Sequence, residues 1–319
     1  MTQSQQYGAV AEPGVLPEEE LLRVEGLTIH FPLGRRTRHG YAEIVHAVDG
    51  VDFTLARGQT VALVGESGCG KSTVARALVG LARPTAGTIT YRGTDLARAS
   101  RAELRALRRE VQIVFQDPFA AVNPRMRVRD IVTEPLRVQG LPRENGVVER
   151  LLELVGLDAA HADRFPHEFS GGQMQRIGIA RALALEPRVL VLDEPISALD
   201  VSIQAQIINL LMDLQDELGL AYLLIAHDVA GVRAISHRVL VMYLGKIVES
   251  GPDVLSEPAI RTRRRCSAPY PPPTSAPATT ERRSSSRATC PARPTRPAAA
   301  ASAPAAGRPP RSAPSRSPS

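Results

Sequence analysis

Four short apolar runs punctuate the middle of the chain, and each ends in residues capable of chemistry. Val61-Ala62-Leu63-Val64 leads into a glycine-rich loop. Val111 to Phe115 stops at Gln116, Val189-Leu190-Val191-Leu192 stops at Asp193-Glu194, and Leu223-Leu224-Ile225-Ala226 stops at His227-Asp228. Continuous apolar runs of this length predict strands buried on both faces of a parallel sheet. In open α/β sheets, ligands gather beyond the carboxyl ends of such strands. The four runs therefore predict one edge that collects a glycine loop, an amide, a carboxylate pair and an imidazole. Any one run reads equally well as a core strand followed by an ordinary loop residue; the set does not.

The flanking pattern differs. Leu22-Arg23-Val24 to Phe31 and Val48 to Leu55 alternate apolar and polar positions in places, which predicts antiparallel strands of a smaller sheet. Helices are predicted over 72–79, 103–109, 147–155, 173–184 and 207–218. In the last of these Ile208, Leu211, Leu214 and Leu218 share a face. Residues 117–185 read as mostly helical, and no internal repeat is visible.

The glycine loop is Gly65-Glu66-Ser67-Gly68-Cys69-Gly70-Lys71-Ser72-Thr73, set between a predicted strand and a predicted helix. Its glycines let backbone N–H groups point at phosphate oxygens, and the helix N-terminus favours negative charge. Lys71 is placed to reach the β- and γ-phosphates of a nucleoside triphosphate, and the Ser72 hydroxyl to bind Mg²⁺. Cys69 is a small residue tolerated in the loop, whose thiol could make ATP binding sensitive to alkylation or oxidation. Asp193 is expected to hold Mg²⁺, and Glu194 to polarise the attacking water. The bland alternative is an acidic pair at a helix start. Gln116 offers both a carbonyl and an amide, so it can touch Mg²⁺ and the water. His227 can hydrogen-bond the γ-phosphate, although a lone histidine is more often structural. Ser170 can cap a helix beginning near Gln173, with Gly171 and Gly172 allowing close backbone approach. That start is either an ordinary capped helix or an anion site.

Together with Phe169-Ser170-Gly171-Gly172-Gln173, Val189 to Glu194, Ser197-Ala198-Leu199-Asp200 and His227, these residues resemble the nucleotide-binding subunits of ATP-binding cassette (ABC) transporters, from about Leu21 to Pro258. Further matches point to the oligopeptide/dipeptide importer branch: Gln116-Asp117-Pro118, Asn123-Pro124-Arg125-Met126, Pro166-His167-Glu168-Phe169, and the run from Ser197 to Gln206. The resemblance implies an α/β fold: a P-loop NTPase core, an antiparallel β subdomain, and an inserted helical subdomain over about 117–185. It implies an ATPase whose dimer sandwiches ATP between one phosphate loop and the signature of the other subunit. Ser170, Gly171, Gly172, Gln173 and Asp200 then belong to the nucleotide interface. The partner is a paralogous ATPase or a second copy. The helical region around Phe115 to Arg129 would dock two membrane permease subunits, and a solute-binding protein would deliver peptide. Tyr41 is the candidate to stack on adenine, with Phe31 the alternative. Met174 replaces a basic residue common in relatives, a change expected to be tolerated. The expected location is peripheral, on the cytoplasmic face of the membrane, with no nucleic-acid partner. Two rivals are a soluble ABC ATPase of DNA repair or translation, and a non-enzymatic regulatory cassette. The first lacks its usual zinc modules or coiled-coil insertion here, and Lys71, Glu194 and His227 speak against the second.

Composition changes the picture only at the C-terminus. The net charge is +6, yet residues 259–319 carry +11 through 12 arginines, one glutamate and no lysine or aspartate, leaving −5 for residues 1–258. The tail also holds 13 of the 26 prolines, a composition that predicts disorder. The basic character therefore says nothing about the partners of the folded part. Residues 1–20 read as a flexible leader without the features of a secretory signal. The three cysteines have no metal-ligand spacing and imply a reducing compartment. No apolar run reaches the roughly 18 residues of a membrane helix.

The family resemblance stops near Glu257-Pro258, where relatives continue with His-Pro-Tyr-Thr. Read at a one-base offset, synonymous codons for residues 259–263 can spell that motif. At the same offset residues 264–271 can spell Ala-Leu-Leu-Ser-Ala-Val-Pro, and residues 298–306 Gly-Cys-Arg-Phe followed by Arg-Cys, both family motifs in family order. Three matches in order imply a frameshift near Ala259, which the gene's nucleotides test directly. The competing reading is a genuine Arg/Pro/Ser linker for nucleic acid or anionic lipid.

Overall fold

In the computed structural model, which describes residues 19–37, 40–197, 199–227, 229–252 and 254, the chain is built on two sheets. Apart from Glu19 and Glu20, the expected leader lies outside the described residues, as do the expected tail and Asp228.

The larger sheet contains β3 (Thr60–Gly65), β6 (Val111–Val114), β7 (Val189–Asp193), β8 (Ala221–Ala226), β9 (Arg238–Tyr243) and β10 (Lys246–Gly251). Its order is β10-β9-β3-β8-β7-β6, parallel except for β10. Every residue of β3, β7 and β8 is buried. Successive side chains of a strand point to opposite faces, so each strand feeds two cores. Ala62 and Val64 enter one core, Val61 and Leu63 the other; Leu190 and Leu192 separate likewise from Val189 and Val191. Each valine or leucine among them gains about 1.5–3 kcal/mol on burial, so both faces must be apolar and the runs are continuous. The fourth run departs from this reading. β6 is an edge strand, and its Gln112 and Ile113 are only half-buried.

The smaller sheet has order β2-β1-β4-β5, formed by β1 (Glu20–Thr37), β2 (Gly40–Ala56), β4 (Ala86–Tyr91) and β5 (Thr94–Asp95). The two predicted strands are β1 and β2, paired antiparallel with Val24 opposite Phe53 and Leu22 opposite Leu55. Leu22, Val24, Phe53 and Leu55 join Val74 and Leu78 of α1 (Lys71–Leu78) in the second core, beneath the phosphate loop.

Between β6 and β7 lie α3 (Val128–Gln139), α4 (Val147–Leu154), two 3-10 turns (Ala159–Asp163 and Pro166–Glu168) and α5 (Gly171–Leu183). These helices pack Ile131, Val132, Leu152, Ile177 and Ile179 into the first core. The segment expected to be helical from Phe115 is a series of turns as far as Arg127, where Asp117 and Asn123 accept backbone N–H bonds two residues on. Such Asx turns satisfy the backbone locally and compete with helix. On the other side of the fold, α2 (Arg101–Glu110) precedes β6, opened by a capping box between Ser100 and Glu103. After β7 comes α6 (Val201–Leu218), six residues longer at its start than predicted. Its buried stripe is Ile207, Leu210, Leu211 and Leu214; Ile208 is only half-buried, and Leu218 is exposed beside the left-handed Gly219 that ends the helix. Among the described residues the last helix is α7 (Val229–Ile235). Among the described residues no helix is long and apolar enough to cross a membrane.

Candidate functional site

Parallel pairing of β3, β8, β7 and β6 puts their carboxyl ends, and so the polar residues that follow them, along one edge. The phosphate loop leaves β3 there and turns into α1 at Lys71. Gly70 adopts φ 112°, a conformation that side chains resist, and a Cβ at this position would collide with the Ala47 carbonyl of β2. The loop is also tied to β9–β10, because the Gly245 N–H donates to the Cys69 carbonyl at 3.0 Å.

Lys71 is buried, and its ammonium donates to the carbonyls of Gly65 at 2.8 Å and Glu66 at 2.9 Å. The charge is thus held within the loop by weak acceptors that phosphate oxygens can replace. Next to it, the Ser72 hydroxyl donates to Asp193 Oδ1 at 3.0 Å. Burial pushes the Asp193 carboxyl above its ordinary pKa; the Ser72 hydrogen bond opposes the shift and the neighbouring Glu194 charge adds to it. Cys69 is buried as well, with its thiol 3.8 Å from Lys71 Nζ. Desolvation raises its pKa in spite of that ammonium. The expected reactivity of this thiol is therefore suppressed, since the thiolate is the reactive form.

Three of the expected catalytic side chains meet. Gln116 Nε2 donates to Glu194 Oε2 at 2.8 Å, and His227 Nδ1 lies 3.5 Å from the same oxygen. Glu194 sits in the left-handed region, at φ 50°, and its N–H donates to the Ile225 carbonyl of β8 at 3.0 Å. A non-glycine residue held there carries strain of about 1–3 kcal/mol, a feature concentrated at functional sites. Ser197 joins this group, although sequence reasoning gave it no role. Its presence three residues after Glu194, in a turn, was the available signal.

Ser170 caps α5. Its hydroxyl accepts from the Gln173 N–H at 3.3 Å, and the Gln173 side chain accepts from the Ser170 N–H at 3.0 Å. The helix begins at Gly171, two residues earlier than expected. Gly171 and Gly172 lie against Leu199 and Ile203, around the start of α6. Among the described residues no hydrogen bond or ion pair joins Ser170 to Gln173 with the phosphate loop. Asp200 takes the N-cap position of α6 without its side chain making a capping bond, and it is exposed. The Tyr41 side chain lies outside the described residues. Phe31 is 45% exposed, opposite an equally exposed Val45 on the hairpin of β1 and β2, so it belongs to the surface and not to the core.

Comparison with known proteins adds the family context. A model of the ABC transporter family matches residues 48–197. Over 247 residues the chain is 56% identical to a putative peptide import ATP-binding protein of Brucella abortus, covering 76% of this chain and 73% of that protein. Over 252 residues it is 52% identical to a glutathione import ATP-binding protein of Escherichia coli O157:H7, covering 78% of this chain and 40% of the longer relative. Among solved structures, a dimeric ATP-binding cassette in a post-hydrolysis state bound to ADP and phosphate superposes with a TM-score of 0.64 at 27% identity, covering 73% of this chain and 98% of that one. The cbiO1 cassette of Clostridium perfringens, part of an ABC transporter complex, gives 0.64 at 30% identity, covering 75% and 92%.

Proposed function

The chain belongs to the ABC transporter family and is an ATPase, and on that premise we propose that it powers the import of di- or oligopeptides across the cytoplasmic membrane. The carrying observation is the meeting of Lys71, Ser72–Asp193 and Gln116–Glu194–His227 at one sheet edge, in a chain whose relatives are named for peptide and glutathione import. Glutathione is itself a tripeptide, so both names point to one solute class.

In this reading the loop from Gly65 to Thr73 wraps the phosphates, and Lys71 exchanges its two carbonyl partners for β- and γ-phosphate oxygens. The donor set fits magnesium. Ser72, Asp193 and the Gln116 carbonyl offer oxygen, the ligand a hard cation takes. A cation beside Asp193 would also relieve the cost of keeping a buried carboxylate ionised. When bound, the metal neutralises charge on the β- and γ-phosphates. Glu194 accepts the Gln116 hydrogen bond through Oε2, which leaves Oε1 to orient and deprotonate the attacking water. His227, with a side chain 55% exposed, is free to contact the γ-phosphate.

The exposed Ser170 cap of α5 and the unused carboxylate of Asp200 fit a partner's nucleotide. The dimer partner is a paralogue or a second copy, and closure on ATP with reopening after hydrolysis supplies the stroke. A cavity of about 320 Å³ lies between the 115–122 turns and helices α3 and α5, lined in part by Phe115, Pro118, Val122, Val138, Glu134 and Arg181. Arg181 donates to the Ala121 carbonyl at 3.0 Å and to Glu134 at 2.9 Å, tying turns and helices together. This cavity suits a cytoplasmic segment of a permease subunit, two of which would hold the ATPase peripherally at the membrane. An extracytoplasmic solute-binding protein would supply the peptide.

Two experiments test the proposal. Glu194→Gln should retain ATP binding, lose hydrolysis and accumulate a closed dimer; unchanged turnover would remove Glu194 from its role. Deleting the gene should abolish uptake of labelled di- or oligopeptides while amino-acid uptake persists. Undiminished uptake of every peptide tested would reject the solute assignment and leave the ATPase intact.

A further inference from the structure

We infer that Ser197 is a positioning residue for ATP hydrolysis, setting the rotation of the Gln116 amide and the backbone of Glu194 through one hydroxyl. The inference rests on the proposed roles of Gln116 and Glu194. Ser197 Oγ donates to the Glu194 carbonyl at 3.2 Å and accepts from Gln116 Nε2 at 3.4 Å. The Ser197 backbone N–H donates to the same Glu194 carbonyl at 3.3 Å.

The donor and acceptor inventory makes the arrangement specific. An ionised carboxylate only accepts, so the nitrogen of the Gln116 amide, and not its oxygen, must face Glu194 Oε2. That contact occupies one of the two amide hydrogens. A single hydrogen bond leaves the amide plane able to turn about the bond axis. The second hydrogen, given to Ser197, removes that freedom. With both hydrogens committed on the Glu194 side, Oε1 of Gln116 is turned away from them, as a group meant to accept or to coordinate should be. Ser197 also uses its own proton for the carbonyl of a residue held at φ 50°. The serine thus ties the strained backbone that aims one catalytic group to the amide that aims the other. A hydroxyl is required because it donates and accepts at once; neither alanine nor valine does either.

The test measures ATP turnover by the full chain in the assembled transporter, as single variants and as a double-mutant cycle. Ser197→Ala should lower kcat about five- to tenfold, the worth of one orienting hydrogen bond, with KM for ATP unchanged. Ser197→Thr keeps the hydroxyl and should restore most of the rate. In a Gln116→Ala background the same serine change should cost clearly less, because one of the two groups its hydroxyl holds is gone and only the Glu194 carbonyl remains. Full turnover in Ser197→Ala, failure of threonine to rescue, or an equal fold-loss in both backgrounds would each overturn the inference. If Gln116→Ala and Glu194→Gln themselves keep full turnover, the underlying catalytic reading fails instead, and the two failures are distinguished.

Discussion

Helix α5 contains two glycines whose replacement by alanine should act in opposite directions. At Gly172 an added Cβ would lie 2.5 Å from Ile203 Cγ2 on α6, whereas at Gly178 nothing lies within 4 Å. The Ile203 methyl sits on a β-branched carbon with one favoured rotamer in a helix, so it cannot swing aside. Overpacking of this kind costs about 1–3 kcal/mol. Alanine returns up to about 1 kcal/mol in helix propensity, less in a first turn. Gly172→Ala should therefore destabilise by about 1–2 kcal/mol, a fall in Tm of about 2–8 °C at this size. Gly178→Ala should stabilise by about 0.5–1 kcal/mol. Thermal melts of the nucleotide-free protein measure both. The decisive arm uses Ile203→Ala as background. There the nearest remaining side-chain atom, Ile203 Cβ, stands 3.8 Å from the new methyl, an ordinary contact. Gly172→Ala should be neutral or stabilising in that background. The same cost with and without Ile203, or no cost at all, would refute the packing argument.

Other outcomes follow from the site. Lys71→Ala should abolish binding of a fluorescent ATP analogue while leaving the melting temperature within about 2 °C, since the ammonium's partners, the Gly65 and Glu66 carbonyls and the Cys69 thiol, all belong to the same loop. Asp193→Asn should raise the stability of the magnesium-free protein at alkaline pH. The sign follows from the raised pKa: the folded state favours the protonated acid, so ionisation costs stability above the folded pKa. The gain should shrink as pH falls through that raised value and vanish near the ordinary 3.8. A pH-independent difference in Tm would reject burial as the cause. Cys69 should react with iodoacetamide at neutral pH more slowly than glutathione, checked by mass spectrometry of the loop peptide; faster labelling would show that the thiol is neither buried nor raised in pKa.

The sequence by itself determined what is local. The phosphate loop, the Ser170–Gln173 cap and the polar residues closing each apolar run depend on neighbours a few positions away, and the hydrogen bonds or steric needs they express are short-range. Parallel order was legible too, because a strand buried on both faces must be apolar throughout, as β3, β7 and β8 are. Only tertiary structure decided which run became the half-covered edge strand, that Leu218 left the apolar face of α6, and that the turns at 117–127 replaced a helix. It alone brought Ser197 to Gln116, 81 positions distant along the chain, and set Gly172 against Ile203. Burial and side-chain pairing across such separations depend on which surfaces meet, and no periodicity within one element encodes the partner that covers it.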